Sequence, residues 1–254
     1  MIASILALEV PSVPHVTIWE AGPLGFNKTA GIYFFATFMT LLLIFLGTRQ
    51  KRLVPAGFFQ NTAESSIDFV KNQIIMQTMG TDGLKYLPYM VTLFFFIFFS
   101  NITEILPGVQ FPANSRFAMP VVLSLITWAM YMTVGIVKQG PLKFLKNSCI
   151  PPGVPKPILP LVALIELLQV LIVRPFSQAV RLFANMLAGH LILVTFAVLC
   201  AATWAASITL IITPFTFLLL VAMTGFEILV SFLQAFIFTI LTALYIGTSM
   251  HPEH

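Results

Sequence analysis

Six ionisable side chains lie where ionisable side chains are costly. Glu104, Glu166, Arg174, Arg181, His190 and Glu227 fall in or at the ends of long apolar runs, whereas most other charges of the chain lie in termini, loops or one amphipathic segment. A charge at the centre of a bilayer costs about 2.5–3.5 kcal/mol even on the mild insertion scale, so such residues mark ion paths by default. Their types divide the labour. Guanidinium keeps its proton in a protein, while imidazole and carboxylate can take one up and hand it on. At 100° per residue, Arg174, Ser177, Gln178 and Asn185 fall within about 60° of Arg181 and make one polar stripe. His190, nine residues beyond Arg181, lies near the opposite face. A second stripe carries Thr224, Glu227, Ser231 and Gln234, with Tyr245 in the same direction eighteen residues past Glu227. A fixed cation beside groups that can relay protons is the chemistry of a proton path with a built-in block.

Each residue also has a plainer reading. Arg174 could be a helix-end cation that snorkels. Glu104 closes a span and could serve as a cap or face water, and Glu166 could pair with an arginine. Asn185 and Gln234 could be hydrogen-bonding glue between helices. Arg181, far from any loop, fits a structural role least well. The phenylalanine run in LFFFIFFS reads as lipid-facing bulk.

The elements that must position these groups follow from composition. Of 254 residues, 58% are hydrophobic and 9% charged, with a mean hydropathy of +0.96. A soluble domain would carry about a quarter charged residues, so the bilayer must be the solvent. Long unbroken apolar runs select helices over a barrel. The net charge of +4 comes from scattered cations rather than a nucleic-acid patch. Two cysteines, Cys149 and Cys200, cannot frame a metal site, and no cofactor is expected. The N-terminal MIASILALEVPSVPH has no basic flank and too short an apolar core for a signal peptide.

The expected organisation is a single all-α membrane domain. An outer segment, 1–28, precedes a span at 29–47. An amphipathic interfacial helix at 58–80 carries Phe59, Ala63, Ile67, Val70 and Ile74 on one stripe. Further spans are expected at 87–106 and 117–137. PPGVPKP, 151–157, is a rigid non-helical linker. Two helices, 158–200 and 215–250, follow a turn placed only within 200–214. About 43 residues make roughly 65 Å of helix, far more than a perpendicular span needs. Either both helices are strongly tilted or each is broken, with Pro175 the candidate break, and the tilted hairpin is preferred. Loop cations number five between the first two spans, one (Arg116) between the next two, and four after the third. This bias puts the N-terminus outside and, after five crossings, the C-terminus inside.

At its polar residues the chain resembles subunit a of the rotary F-type ATP synthases. RPFSQAVRLFANMLAGH is the specific segment, SNITEILPG (with Asn101 and Glu104) and FEILVSFLQAFIFTILTALYI are further matches, and the likeness covers nearly the whole chain. The resemblance implies that Arg181 is the essential arginine facing the rotor ring. Asn185 and Gln234 fall on motif positions, and His190 and Glu227 occupy two relay positions as a coupled pair. Glu166, one residue further from Pro175 than the pattern expects, would join them in an outer half-channel. It also implies a non-catalytic subunit that couples ion flow to ring rotation, with the c-subunit ring, peripheral-stalk b subunits, the rest of the complex and lipid as partners. The N-terminal and 138–157 segments favour a bacterial plasma membrane over a mitochondrial inner membrane. Two other functions fit the pattern less well. An intramembrane protease lacks a His-Glu-x-x-His helix or a suitable Ser–His pair, and a free-standing ion-coupled transporter would show paired halves.

Overall fold

The computed structural model describes residues 17–19, 26–48, 57–106, 109, 113–149, 157–204 and 212–250. Most of the expected outer segment and linker, and both labelling positions discussed below, lie outside these. The chain opens with a small antiparallel ribbon of β1 (Thr17–Trp19) and β2 (Phe26–Asn27), which the sequence reading did not contain. Everything after it is helical: α1 (Lys28–Thr48), α2 (Phe58–Val70), α3 (Leu87–Ile102), α4 (Ala118–Gln139), α5 (Pro141–Cys149), α6 (Leu159–Leu168), α7 (Arg174–Trp204) and α8 (Thr213–Met250). Counting α6 and α7 as one, five helical stretches are long and apolar enough to cross a bilayer.

The segment α2 is extended by a π-helical turn, Lys71–Ile75, and a short α turn, Met76–Thr78. It stops at Gly80, whose φ of +62° suits glycine. Its apolar stripe is used within the protein: Ala63, Val70, Ile74 and Ile75 are buried, the last three in the main core with α3 and α8. Phe58 and Phe59, at the free end, stay exposed.

The run LFFFIFFS corrects the lipid-facing expectation. Phe94 and Phe95 are buried, and Phe96, Phe98 and Phe99 pack against the same core. The reason is position, since α3 lies among α1, α2 and α8. The exposed apolar surface is supplied instead by α1 (Phe34, Phe38, Phe45), α6 (Leu161, Leu164, Ile165) and one side of α8 (Phe217, Leu218, Phe226). A further helix, α5, falls where only a basic loop was expected. Pro141 is its first residue, where a missing N–H does no harm. Phe144 is buried, its ring seated on Gly135 so closely that a Cβ there would collide with it.

Proline 175 does not divide the long helix. Residues Leu159–Trp204 run as one helical stretch with a π turn at Gln169–Val173. The Arg174 N–H bonds Gln169 O in the wider register. Val170 O would then look for the N–H of residue 175, which proline lacks. Two side chains of α4 satisfy that carbonyl instead: Tyr131 Oη donates at 2.6 Å and Trp128 Nε1 at 3.2 Å. The unbroken helix preferred from sequence is thus found, and the alternative break at Pro175 is absorbed by a neighbouring helix.

Candidate functional site

The site lies where α3 ends and α7 meets α8. Beyond α3, a single turn carries Glu104, whose backbone N–H bonds Asn101 O at 3.1 Å. Asn101 is buried and accepts from Asn114 Nδ2 at 2.7 Å, and Asn114 also donates to Ser100 Oγ at 2.9 Å. Tyr33 Oη of α1 bonds the same short turn through Ala113 O at 2.9 Å. Asn101 therefore works as a fastener that fixes where Glu104 points. Glu104 itself is only 3% exposed.

Across from it, His190 of α7 places Nδ1 at 3.3 Å from Glu104 Oε1. The angle is poor for a hydrogen bond, and both Glu104 oxygens are otherwise without one. The contact is a close ion-pair approach rather than a locked bond. Both residues line a cavity of about 240 Å³, together with Thr224 and apolar residues of α7 and α8. Water in that space would be adjacent to both titratable groups.

Glu227 is buried on α8. Its carboxylate lies against the Cα of Gly189: a Cβ built there would overlap it, with Glu227 Cδ at 2.6 Å and Oε2 at 2.7 Å. The pairing expected between His190 and Glu227 is thus revised. His190 has Glu104 as its ion-pair partner, and Glu227 meets the residue before His190. Three titratable groups gather here instead of two.

Gly189 is the residue that sequence reasoning missed, although a signal was present. Glycine inside a helix is worth about 1 kcal/mol less than alanine, so Gly189 in the middle of a long helix asks for a packing reason. Gly189→Ala should displace the Glu227 carboxylate, at an overpacking cost of about 1–3 kcal/mol, and slow proton conduction roughly tenfold. Adding Glu227→Asp, which withdraws the carboxylate by one methylene, should recover part of the rate when proton uptake into vesicles is followed with a pH dye. No recovery would mean that the two residues do not oppose each other.

Arg181 lies nine residues before His190, about 13 Å along the axis. It is half-buried, and among the described residues it has no carboxylate partner. On its face of α7, Ser177, Ala184 and Ala188 are small and exposed. The half-buried Asn185 and the buried Gln234 do not act as glue through hydrogen bonds between described residues; Gln234 Nε2 and Ser231 Oγ are buried without partners. Polar α7–α8 contacts are made instead by Gln178, whose Nε2 reaches Phe238 O at 3.5 Å and Thr242 Oγ1 at 3.4 Å, and by the Thr203 and Thr216 hydroxyls, 3.2 Å apart. Arg174 sits over the Tyr245 ring, 5.0 Å from its centroid.

Glu166 does not join this group. It is half-exposed on α6, 24 residues before His190 along one continuous helical stretch, or about 36 Å. The expectation that it joins His190 and Glu227 in an outer half-channel is therefore revised, since that distance along the helix exceeds the thickness of a bilayer's hydrocarbon core.

The sequence model of the family described as ATP synthase A chain matches residues 31–247. The chain is 42% identical to ATP synthase subunit a of Frankia alni over 97% of its own length and 86% of the relative's. It is 40% identical to that of Rhodopseudomonas palustris strain BisB5 over 91% and 90%. With that of Rhodococcus erythropolis it shares 36% over 94% and 88%. A helical chain matched by the family's sequence model over residues 31–247 and by relatives over nearly its whole length belongs to the ATP synthase subunit a family.

Proposed function

We propose that this chain is the proton-conducting stator subunit of a rotary F-type ATP synthase, and that Arg181 is the residue facing the rotor. The observation that carries this reading is a half-buried guanidinium with no acid among the described residues of its own chain, set in a strip of small exposed residues. Small residues let a partner helix approach closely, and an unpaired intramembrane cation calls for an anion from outside. A carboxylate on each subunit of a c-ring is that anion.

Protons reach the ring through the cavity at Glu104 and His190, pass by Glu227, and neutralise a rotor carboxylate, which can then face lipid. After nearly a full turn, the carboxylate meets a second aqueous path on the inner side and releases its proton. Asn185, Gln234 and Ser231 supply polar atoms between relay and arginine, and Ser177 lies on the rotor-facing strip. Glu166, on the stretch of helix nearest the inner loops, belongs to the release side. Arg181 separates the two paths: it favours the ionised carboxylate and repels protons crossing directly. The membrane potential supplies about 2.3 kcal/mol per charge per 100 mV. Nucleotide chemistry belongs to other subunits, b subunits hold the chain as a stator, and the long α6–α7 and α8 helices lie strongly tilted against the ring. The membrane is a bacterial plasma membrane.

The decisive test is ATP-driven acidification of vesicles carrying the whole complex. Acidification without sodium is expected; an absolute sodium requirement would replace the proton, and no pumping at all would remove the reading. A free-standing transporter would instead purify without a ring of small hairpins. Orientation is tested separately. A cysteine at position 12 (Ser12→Cys) should react with a membrane-impermeant reagent from outside and one at 254 (His254→Cys) from inside; reaction of both from the same face would overturn five crossings.

A further inference from the structure

Arg174 has lost its plain explanation. It is not at a helix end, since Leu159–Trp204 is one helical stretch and Arg174 is its sixteenth residue, about 22 Å from the start. Arg174 is therefore not a helix-end cation. Nor does any carboxylate among the described residues pair with it, and its Nε is buried without a hydrogen-bond partner. What holds it is aromatic. The guanidinium carbon lies 5.0 Å from the Tyr245 ring centroid, and Tyr245 in turn packs on Tyr131 with centroids 5.7 Å apart. Tyr131 is anchored by its bond to Val170 O, the carbonyl that Pro175 leaves without a partner. The π turn, the proline and two tyrosines from α4 and α8 thus form a built seat for one cation.

We propose that Arg174 is a second fixed cation of the ion path, a positioning residue that sets the acidity at which protons leave on the inner side. The inference deepens the stator reading and rests on it. Arg174 lies on the same face as Arg181, seven residues or about 10 Å toward the end of the helix from which the inner loops depart. A rotor carboxylate that has passed Arg181 on the release side stays within the field of this second charge. The titratable or charged groups around Arg174 are Tyr131 on α4, Tyr245 on α8, and on its own stretch Arg181 and Glu166. A seat made of aromatic faces attracts the cation through the ring quadrupole without adding an anion that would cancel its field. This explains why a carboxylate, the commoner partner of a buried arginine, is not used. At about 10 Å and an effective dielectric of about 20, one unit charge shifts a carboxylate's titration by roughly one pH unit.

The experiment uses the whole complex in vesicles, with ATP synthesis measured against the pH of the release side. Arg174→Gln should still synthesise ATP when that side is alkaline. The pH at which its rate is half-maximal should move up by roughly one unit, because the carboxylate then holds its proton more tightly. Arg174→Lys should keep the original midpoint. Tyr245→Phe, which preserves the ring face, should also leave it unchanged, whereas Tyr245→Leu should move it up. An assembled Arg174→Gln complex with an unshifted midpoint overturns the proposal. If that variant fails to assemble, an unshifted Tyr245→Leu does so instead. Arg181→Ala in the same vesicles tests the underlying reading: its loss of synthesis alongside an unshifted Arg174→Gln sinks only the inference.

Discussion

Arg181→Ala is expected to abolish ATP synthesis by the whole complex and, once the catalytic head is removed, to open a passive proton leak. Two jobs fall to one side chain, and the substitution ends both. As an attractor, the guanidinium changes a nearby carboxylate's proton affinity by roughly ten- to a thousandfold. Without it the rotor group has no reason to discharge at the right place. As a barrier, it is the permanently charged group set between the relay residues and Arg174 on their shared strip of α7. Arg181→Lys keeps the charge but not the function. A buried ammonium can shed its proton, and it lacks the planar fork that fits a carboxylate. Coupling should fail there as well. An imposed potential and a pH dye in vesicles read both effects, and normal coupled synthesis by the alanine variant would take Arg181 out of the mechanism.

The second large effect concerns His190. Removing the imidazole leaves Glu104 buried, 3% exposed, with neither oxygen hydrogen-bonded and its ion-pair partner gone. His190→Ala should slow proton uptake on the order of a hundredfold, within the range typical of lost proton-transfer groups, with the ring still assembled. The exchange His190→Glu with Glu227→His separates the pairing expected from sequence from that seen in the structure. If His190 worked only with Glu227, the exchange would restore conduction. In the structure it puts a second carboxylate against Glu104, and like charges in a buried site cannot both ionise. The double exchange is therefore expected to stay slow and to gain conduction only when Glu104→Gln is added. Full conduction by the double exchange with Glu104 intact would reinstate the simple pair.

Glu104 shows why the sequence undervalued one group. At the end of a span it looks like any helix-end carboxylate, and nothing in SNITEILPG says that His190, 86 positions later, will face it. Glu166 shows the reverse error. It is an intramembrane acid by pattern, but its distance from His190 becomes decisive only once the helix is known to run unbroken through Pro175. That continuity depends on Tyr131 and Trp128 of another helix, which no local rule contains.

What the sequence determines by itself is set by solvent and period. Apolar runs about twenty residues long or longer can satisfy their backbones in lipid only as helices. The 100° step puts Arg174, Ser177, Arg181 and Asn185 on one stripe, and Thr224, Glu227, Ser231 and Gln234 on another. Both stripes follow from chain order alone. The tertiary structure decides which groups on different helices meet: Glu104 with His190, Glu227 with Gly189, and Arg174 with Tyr245. It also decides that LFFFIFFS faces protein rather than lipid. The physical reason is that hydropathy does not distinguish a protein neighbour from a lipid tail. Inside a bilayer both are equally apolar, so partner choice comes from packing shape and a few polar contacts spread across the chain.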